Sequence, residues 1–189
     1  KLHGLKAVIV VPHGNNPAKN RAMRSLGAEL VEHGGEFQEA LEHSRALAAT
    51  RGLHAVPSYH PWLVQGVATC ARELFARAGE LDAIFVPIGL GSGFCGIAAT
   101  REALGFRTKI IGVVSEHAPA YLQSFVQRRL VEQSSSTRVA EGVACKTPHP
   151  EALDHILRHA HDVVSVSDAE ALAAVRRIFE TTHNVAEGS

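Results

Sequence analysis

An apolar strand that runs straight into a glycine cluster and out into a helix restricts a chain's fold more than its composition does. Residues 82–96 hold such a run, Asp82-Ala-Ile-Phe-Val-Pro-Ile-Gly-Leu-Gly-Ser-Gly-Phe-Cys-Gly96. A buried-strand pattern at Ala83–Val86 meets Gly89, Gly91, Gly93 and Gly96, and a helical pattern follows at Ile97–Leu104. Glycine has no Cβ, so such a loop turns tightly and brings backbone N–H groups close to a bound group. At the mouth of a helix those groups, with the helix's positive end, form an anion site. Phosphate is the anion this arrangement suits.

Strand and helix signals alternate along the rest of the chain. Ala7–Val11 reads as a strand, Pro17–Leu26 as a helix stopped by Gly27, Ala28–Val31 as a strand and Glu36–Thr50 as a helix. A short strand is expected at Leu53–Val56. Pro57-Ser-Tyr-His-Pro61 reads as a hinge, because two prolines oppose continuing either element type. Beyond it come a helix at Trp62–Ala78, strands at Ala83–Ile88, Ile110–Val114 and Val163–Val166, and helices at Pro119–Val131, Glu151–Ala160 and Asp168–Glu180. Ser167 and Glu170 have the spacing of a capping box. Short apolar strands alternating with helices predict an α/β fold with a largely parallel sheet covered on both faces, ligands binding beyond the strands' carboxyl ends. The hinge divides the chain into expected parts 1–57 and 58–189.

Equal counts of acidic and basic residues, 19 each, give no electrostatic footprint for nucleic acid or an anionic membrane. No apolar run approaches the roughly 18 residues of a membrane span, and Lys1–Lys6 does not read as a signal peptide. Cys70, Cys95 and Cys145 are odd in number and form no CxxC pair, so a reducing cytoplasm and buried thiols are expected. His155 and His159 have the four-residue spacing of shared metal ligands. Leu153, Ile156, Leu157 and Ala160 define that helix's apolar face, which puts both histidines on the wet side and argues against a metal.

Gly91-Ser-Gly93-Phe-Cys-Gly96 satisfies G-x-G-x-x-G, and Glu116 follows where a nicotinamide-binding fold places its ribose acid. A nucleotide-binding oxidoreductase domain is therefore one reading, and a purely structural turn another. The run here follows the fourth strand-like segment, whereas that fingerprint opens a first βαβ unit.

A third reading comes from resemblance over nearly the whole chain. Leu5–Pro12, Asn16–Leu30, Asp82–Gly96, Ile110–Val113, Ala140-Glu-Gly-Val143 and Ala186-Glu-Gly188 together resemble, in order and spacing, the pyridoxal-phosphate-dependent serine/threonine dehydratases of the tryptophan-synthase-β-like fold type II. The resemblance implies two lobes of a three-layer αβα enzyme, residues 1–57 in the smaller and 58–189 in the larger, cofactor-binding one. It implies phosphate contact at Gly89, Leu90, Gly91, Ser92 and Gly93, with Leu90 and Ser92 standing where the family commonly has glycine. Gly142 would lie against the cofactor ring and Glu187 at the pocket's edge. As plain structure, Ser92 would fill a turn, Gly142 would make one, and Glu187 would be a helix-end charge.

By the same resemblance the Schiff-base lysine and the loop that holds the substrate carboxylate are expected upstream of Lys1, and the group facing the pyridine nitrogen beyond Ser189. Lys1, Lys6, Lys19, Lys109 and Lys146 fall at element ends or in loops, so no catalytic residue is assigned within the chain. The family's cation positions correspond to Val114 and Ala120, which cannot ligate, so no metal is expected. The implied activity is an ammonia-lyase acting on serine or threonine, in a cytoplasmic homodimer, with the chain by itself inactive. A racemase, another β-elimination enzyme or a non-catalytic remnant remains open.

Overall fold

The computed structural model describes residues 4–137 and 139–189, and every strand pairing in it is parallel. The chain divides into two compact units, Lys1–Pro57 and Ser58–Ser189. In the first, β1 (Val8–Val11) pairs with β2 (Glu29–Glu32), joined by α1 (Pro17–Ser25) and followed by α2 (Phe37–Arg51). The Asn16 side chain starts α1 by accepting from the Ala18 and Lys19 amides, and Pro17 takes the first helical position, where no N–H is needed.

The second unit carries α3 (Pro61–Ala78), β3 (Ala83–Pro87), α4 (Ser92–Ala103), β4 (Lys109–Ser115), α5 (Ala120–Gln127), α6 (Pro150–His159), β5 (Asp162–Val166) and α7 (Asp168–Thr182). A single 3-10 turn, Glu141–Val143, lies between α5 and α6. Its sheet runs β3-β4-β5. Ile88, Phe94, Ile110, Tyr121, Val114 and Ile156 belong to the core packed around this sheet. The capping box expected at Ser167 and Glu170 opens α7, with both reciprocal bonds formed.

Three expectations about elements are corrected. Leu53–Val56 forms no strand; both residues are exposed, and no neighbouring strand offers them a ladder. The helix expected from Pro119 to Val131 stops at Gln127, because Arg128 turns left-handed at φ 55° and the Ser124 hydroxyl captures the Val131 amide. The helix expected to begin at Ile97 begins at Ser92, so the second half of the glycine run is wound into α4.

That early start has a packing reason. Gly96 is buried where α4 crosses α3, and a Cβ there would lie 3.0 Å from the Ala68 nitrogen and 3.3 Å from the Val64 oxygen. Backbone atoms of a helix cannot step aside as a side chain can. Gly96→Val should therefore lower unfolding free energy by about 1–3 kcal/mol, the usual cost of overpacking. The readout is a lower urea midpoint at unchanged slope; an unmoved midpoint would mean that the α3–α4 seam is slack.

Candidate functional site

Pairing with β4 carries one residue past β3: the Ile88 amide donates to the Val113 carbonyl at 2.9 Å. The backbone then leaves the sheet. Gly91 sits at the N-cap of α4 with φ +94°, a left-handed conformation that side chains disfavour. The first turn closes with Cys95 N–H donating to the Gly91 carbonyl at 2.9 Å, and no side chain caps the helix. Among the described residues, none of the six amides from Gly89 to Phe94 donates to an acceptor of the chain. Those at Ser92, Gly93 and Phe94 are the first-turn donors that every helix leaves over. Buried Phe94 pins this turn to the core, while Ser92 and Gly93 stay half-buried.

A set of unclaimed amides at a helix's positive end suits an anion of phosphate's size and charge. A phosphate ester fits these residues on two further observations. A Cβ at Gly93 would meet nothing within 4 Å, so space lies open beside its amide. The Ser92 hydroxyl has no partner in the chain among the described residues, leaving it available as a further donor.

The remaining expected site residues converge on the loop's first glycine. Gly142 lies in the 3-10 turn, and its carbonyl oxygen would stand 2.7 Å from a Cβ placed on Gly89. The Gly142 amide donates to the Ser189 hydroxyl at 3.1 Å. A Cβ on Gly142 would be 3.5 Å from the Glu187 carboxylate oxygen. Gly89, Gly142, Glu187 and Ser189 thus form one cluster beside Leu90–Gly93. The small cavity of about 60 Å³ at the carboxyl ends of β3, β4 and β5, lined partly by Ser115, Ser167 and Ser189, has room for a water or two but not for a cofactor ring.

The sequence reading did not single out the wall behind the loop. The Tyr121 hydroxyl, on α5, donates to the Leu90 carbonyl at 2.9 Å and accepts from the His149 amide at 3.0 Å. A Cβ on Gly91 would be 2.7 Å from Ala152 Cβ and 3.3 Å from the Tyr121 oxygen. The Tyr59 ring stacks on His149 with centroids 4.2 Å apart, and its hydroxyl reaches Cys95 Sγ at 3.5 Å. Nothing in one sequence separates such a tyrosine from an ordinary core aromatic, except that a buried hydroxyl needs partners.

Other candidates fall elsewhere. Glu116 donates its amide to Val166, and its carboxylate, half exposed, lies 3.4 Å from His117. Gly96 serves the helix crossing. His159 is not on a wet face as expected: its side chain is only 16% exposed, because α6 packs against α4 and Arg101 lies against the ring at 3.4 Å. Burial lowers its pKa. His155 stacks on His159 with centroids 5.9 Å apart. Among the described residues no three His, Cys, Asp or Glu side chains converge as a metal site would require. Lys6, Lys19, Lys109 and Lys146 are all exposed, and Lys1 lies outside the described residues.

The thiols differ in reactivity for physical reasons. Cys70 is exposed on α3, whereas burial raises the pKa of the Cys95 thiol and pushes that of Cys145 up to about 11. The thiolate is the nucleophile. At neutral pH a limited dose of iodoacetamide should label Cys70 first and the other two only after unfolding, as peptide mass spectrometry would read. Equal labelling of Cys95 in the native state would contradict the burial of its thiol beside Tyr59.

Comparison with known proteins adds to this geometry. The family described as pyridoxal-phosphate dependent enzyme matches residues 1–189. The L-threonine dehydratase biosynthetic IlvA of Pasteurella multocida is 33% identical over 187 residues, which are 98% of this chain and 36% of that protein. The L-threo-3-hydroxyaspartate ammonia-lyase of Saccharomyces cerevisiae is 30% identical over 99% of this chain and 58% of its own length. The structure of the processed form of threonine deaminase isoform 2 from Solanum lycopersicum superposes with a TM-score of 0.89 at 27% identity, covering 97% of this chain and 54% of that one. The chain thus spans about a third of the first of these relatives and under two thirds of the others.

Proposed function

Because the chain belongs to the pyridoxal-phosphate-dependent enzyme family, we propose that the protein carrying it is an ammonia-lyase converting L-threonine or L-serine to a 2-oxo acid and ammonia. The fold is that of the fold type II enzymes of this family, and pyridoxal 5'-phosphate is the family's cofactor. One observation carries the assignment of the site: six consecutive amides, Gly89 to Phe94, stand unclaimed at the mouth of α4.

In this reading the amides of Gly89, Leu90, Gly91, Ser92 and Gly93, with the Ser92 hydroxyl, hold the phosphate ester, and the α4 dipole stabilises its charge. Gly142 would lie along one face of the ring, its missing Cβ leaving room for the Ser189 side chain that its amide bonds. Glu187 borders that face. When bound, the cofactor supplies an electron sink for loss of the amino acid's α-proton and β-hydroxyl. The residues of this chain position; the proton-transferring lysine is proposed to lie outside them.

The nucleotide reading is set aside because the family that matches residues 1–189 is pyridoxal-phosphate dependent. We extend the proposal to a cytoplasmic homodimer whose only small-molecule partner besides the cofactor is the amino acid. Three free cysteines agree with a reducing compartment, and among the described residues no helix is long and apolar enough to cross a membrane.

The test is the native protein, loaded with pyridoxal 5'-phosphate and offered each L-amino acid. Equal yields of 2-oxo acid and ammonia are expected. Recovery of the amino acid with inverted configuration and no oxo acid would make it a racemase of the same fold. Neither product from threonine or serine would overturn the proposal.

A further inference from the structure

Between the loop and α6 stands one hydroxyl, and peptide geometry gives it a consequence for the bound anion. Tyr121 is 1% exposed, and both its hydrogen-bond partners are main-chain groups of other elements: the Leu90 carbonyl of the glycine loop and the His149 amide at the N-cap of α6. A trans peptide is planar, and its C=O and N–H point in opposite directions. The structure contains no cis peptide among the described residues. Holding the Leu90 oxygen against Tyr121 therefore points the Gly91 N–H away from the α5–α6 wall, toward the side where the other loop amides stand unclaimed.

The wall also limits the alternatives. With φ +94° and no Cβ, Gly91 has the conformational freedom to flip its preceding peptide. Flipping would strip the Leu90 carbonyl of its partner and leave a buried hydroxyl donor unsatisfied, a cost of about 1–3 kcal/mol. Burial raises the phenol's pKa above its usual range, so the hydroxyl remains a neutral donor at working pH.

We infer that Tyr121 is a positioning residue for the glycine loop, orienting the Gly91 amide toward a phosphate by fixing the Leu90 carbonyl. The inference rests on the proposed phosphate role of the loop and deepens it. Tyr121 does not touch the anion.

The experiment measures pyridoxal 5'-phosphate affinity by equilibrium dialysis of the native protein, together with the phosphorus NMR signal of the bound cofactor. Tyr121→Phe keeps the ring in the core and should weaken affinity about tenfold, the worth of one well-placed hydrogen bond, and should broaden the phosphorus line. Ser124→Ala is the control. That buried hydroxyl lies on the same helix but bonds the main chain of Val131, so its loss should lower stability and leave the affinity and the phosphorus line unchanged. If Tyr121→Phe fails to fold, His149→Pro removes the N–H on the other side of the hydroxyl at a φ of −72° that proline accepts, and should weaken affinity in the same direction. Wild-type affinity and an unchanged phosphorus line in the variant that folds would overturn the inference. Gly93→Asp separates the two readings. If it weakens binding while Tyr121→Phe does not, only the positioning role fails; if it too leaves affinity unchanged, the phosphate loop itself is refuted.

Discussion

Gly93→Asp should leave the protein folded, slightly more stable without cofactor, and nearly unable to retain pyridoxal 5'-phosphate. The two halves of this expectation have opposite signs, which makes it demanding. Gly93 is the second residue of α4, with open space where a side chain would go and a backbone that any residue tolerates. A carboxylate in a helix's first turn is worth about 0.3–1 kcal/mol to the helix, and aspartate there also relieves glycine's poor helix propensity. The same carboxylate would occupy the side from which the phosphate approaches. Two unit charges about 4 Å apart repel by about 4 kcal/mol at an effective dielectric of about 20. Half of that already weakens retention by roughly thirtyfold. Gly93→Ala should share only the first half, because it relieves glycine's poor helix propensity and adds volume into open space without charge. Calorimetric melting of the apo forms reads the first half, and cofactor content after dialysis reads the second. Full cofactor occupancy in Gly93→Asp would remove the anion from these amides. A lower apo melting temperature would instead say that the space beside Gly93 is not open.

The strand-to-helix order of the site was readable from Asp82–Gly96 because β-branched runs, glycine clusters and helical periodicity are local signals. The contacts that complete the site are not local. Gly142 reaches Gly89 from 53 positions along the chain and Glu187 reaches Gly142 from a further 45, and only the resemblance to known enzymes put them in one place. Tyr121 was invisible for a different reason: its apolar ring satisfies the periodicity of α5, and its hydroxyl's role appears only once Leu90 and His149 are beside it. The helix start was misplaced from Ser92 to Ile97 because glycine and serine are weak helix formers, and tertiary packing against α3 outweighs that propensity. Leu53–Val56 failed as a strand because β-propensity requires a neighbouring ladder to be realised. His159 was misassigned because periodicity marks an apolar face without showing how wide the contact with α4 extends.

The 189 residues by themselves should yield no 2-oxo acid from threonine above the background of a Gly91→Asp control. The reason lies in the lysines. A lysine that carries this cofactor must be desolvated or flanked by charge to be nucleophilic at neutral pH. Lys6, Lys19, Lys109 and Lys146 are all exposed, and Lys109 begins β4, at the edge of the sheet opposite the glycine loop. A parallel strand separates its two ends by about 3.3 Å per residue, so a seven-residue β4 puts that lysine roughly 20 Å from the loop's end of the sheet. Surface lysines react with a free aldehyde weakly and without selecting one site. Borohydride reduction of the chain with pyridoxal 5'-phosphate should accordingly leave scattered, substoichiometric labels, while in the native protein one lysine outside residues 1–189 should take the label in full. Stoichiometric labelling of one lysine within the chain, together with turnover that Gly91→Asp abolishes, would show that the chain carries its own catalytic amine.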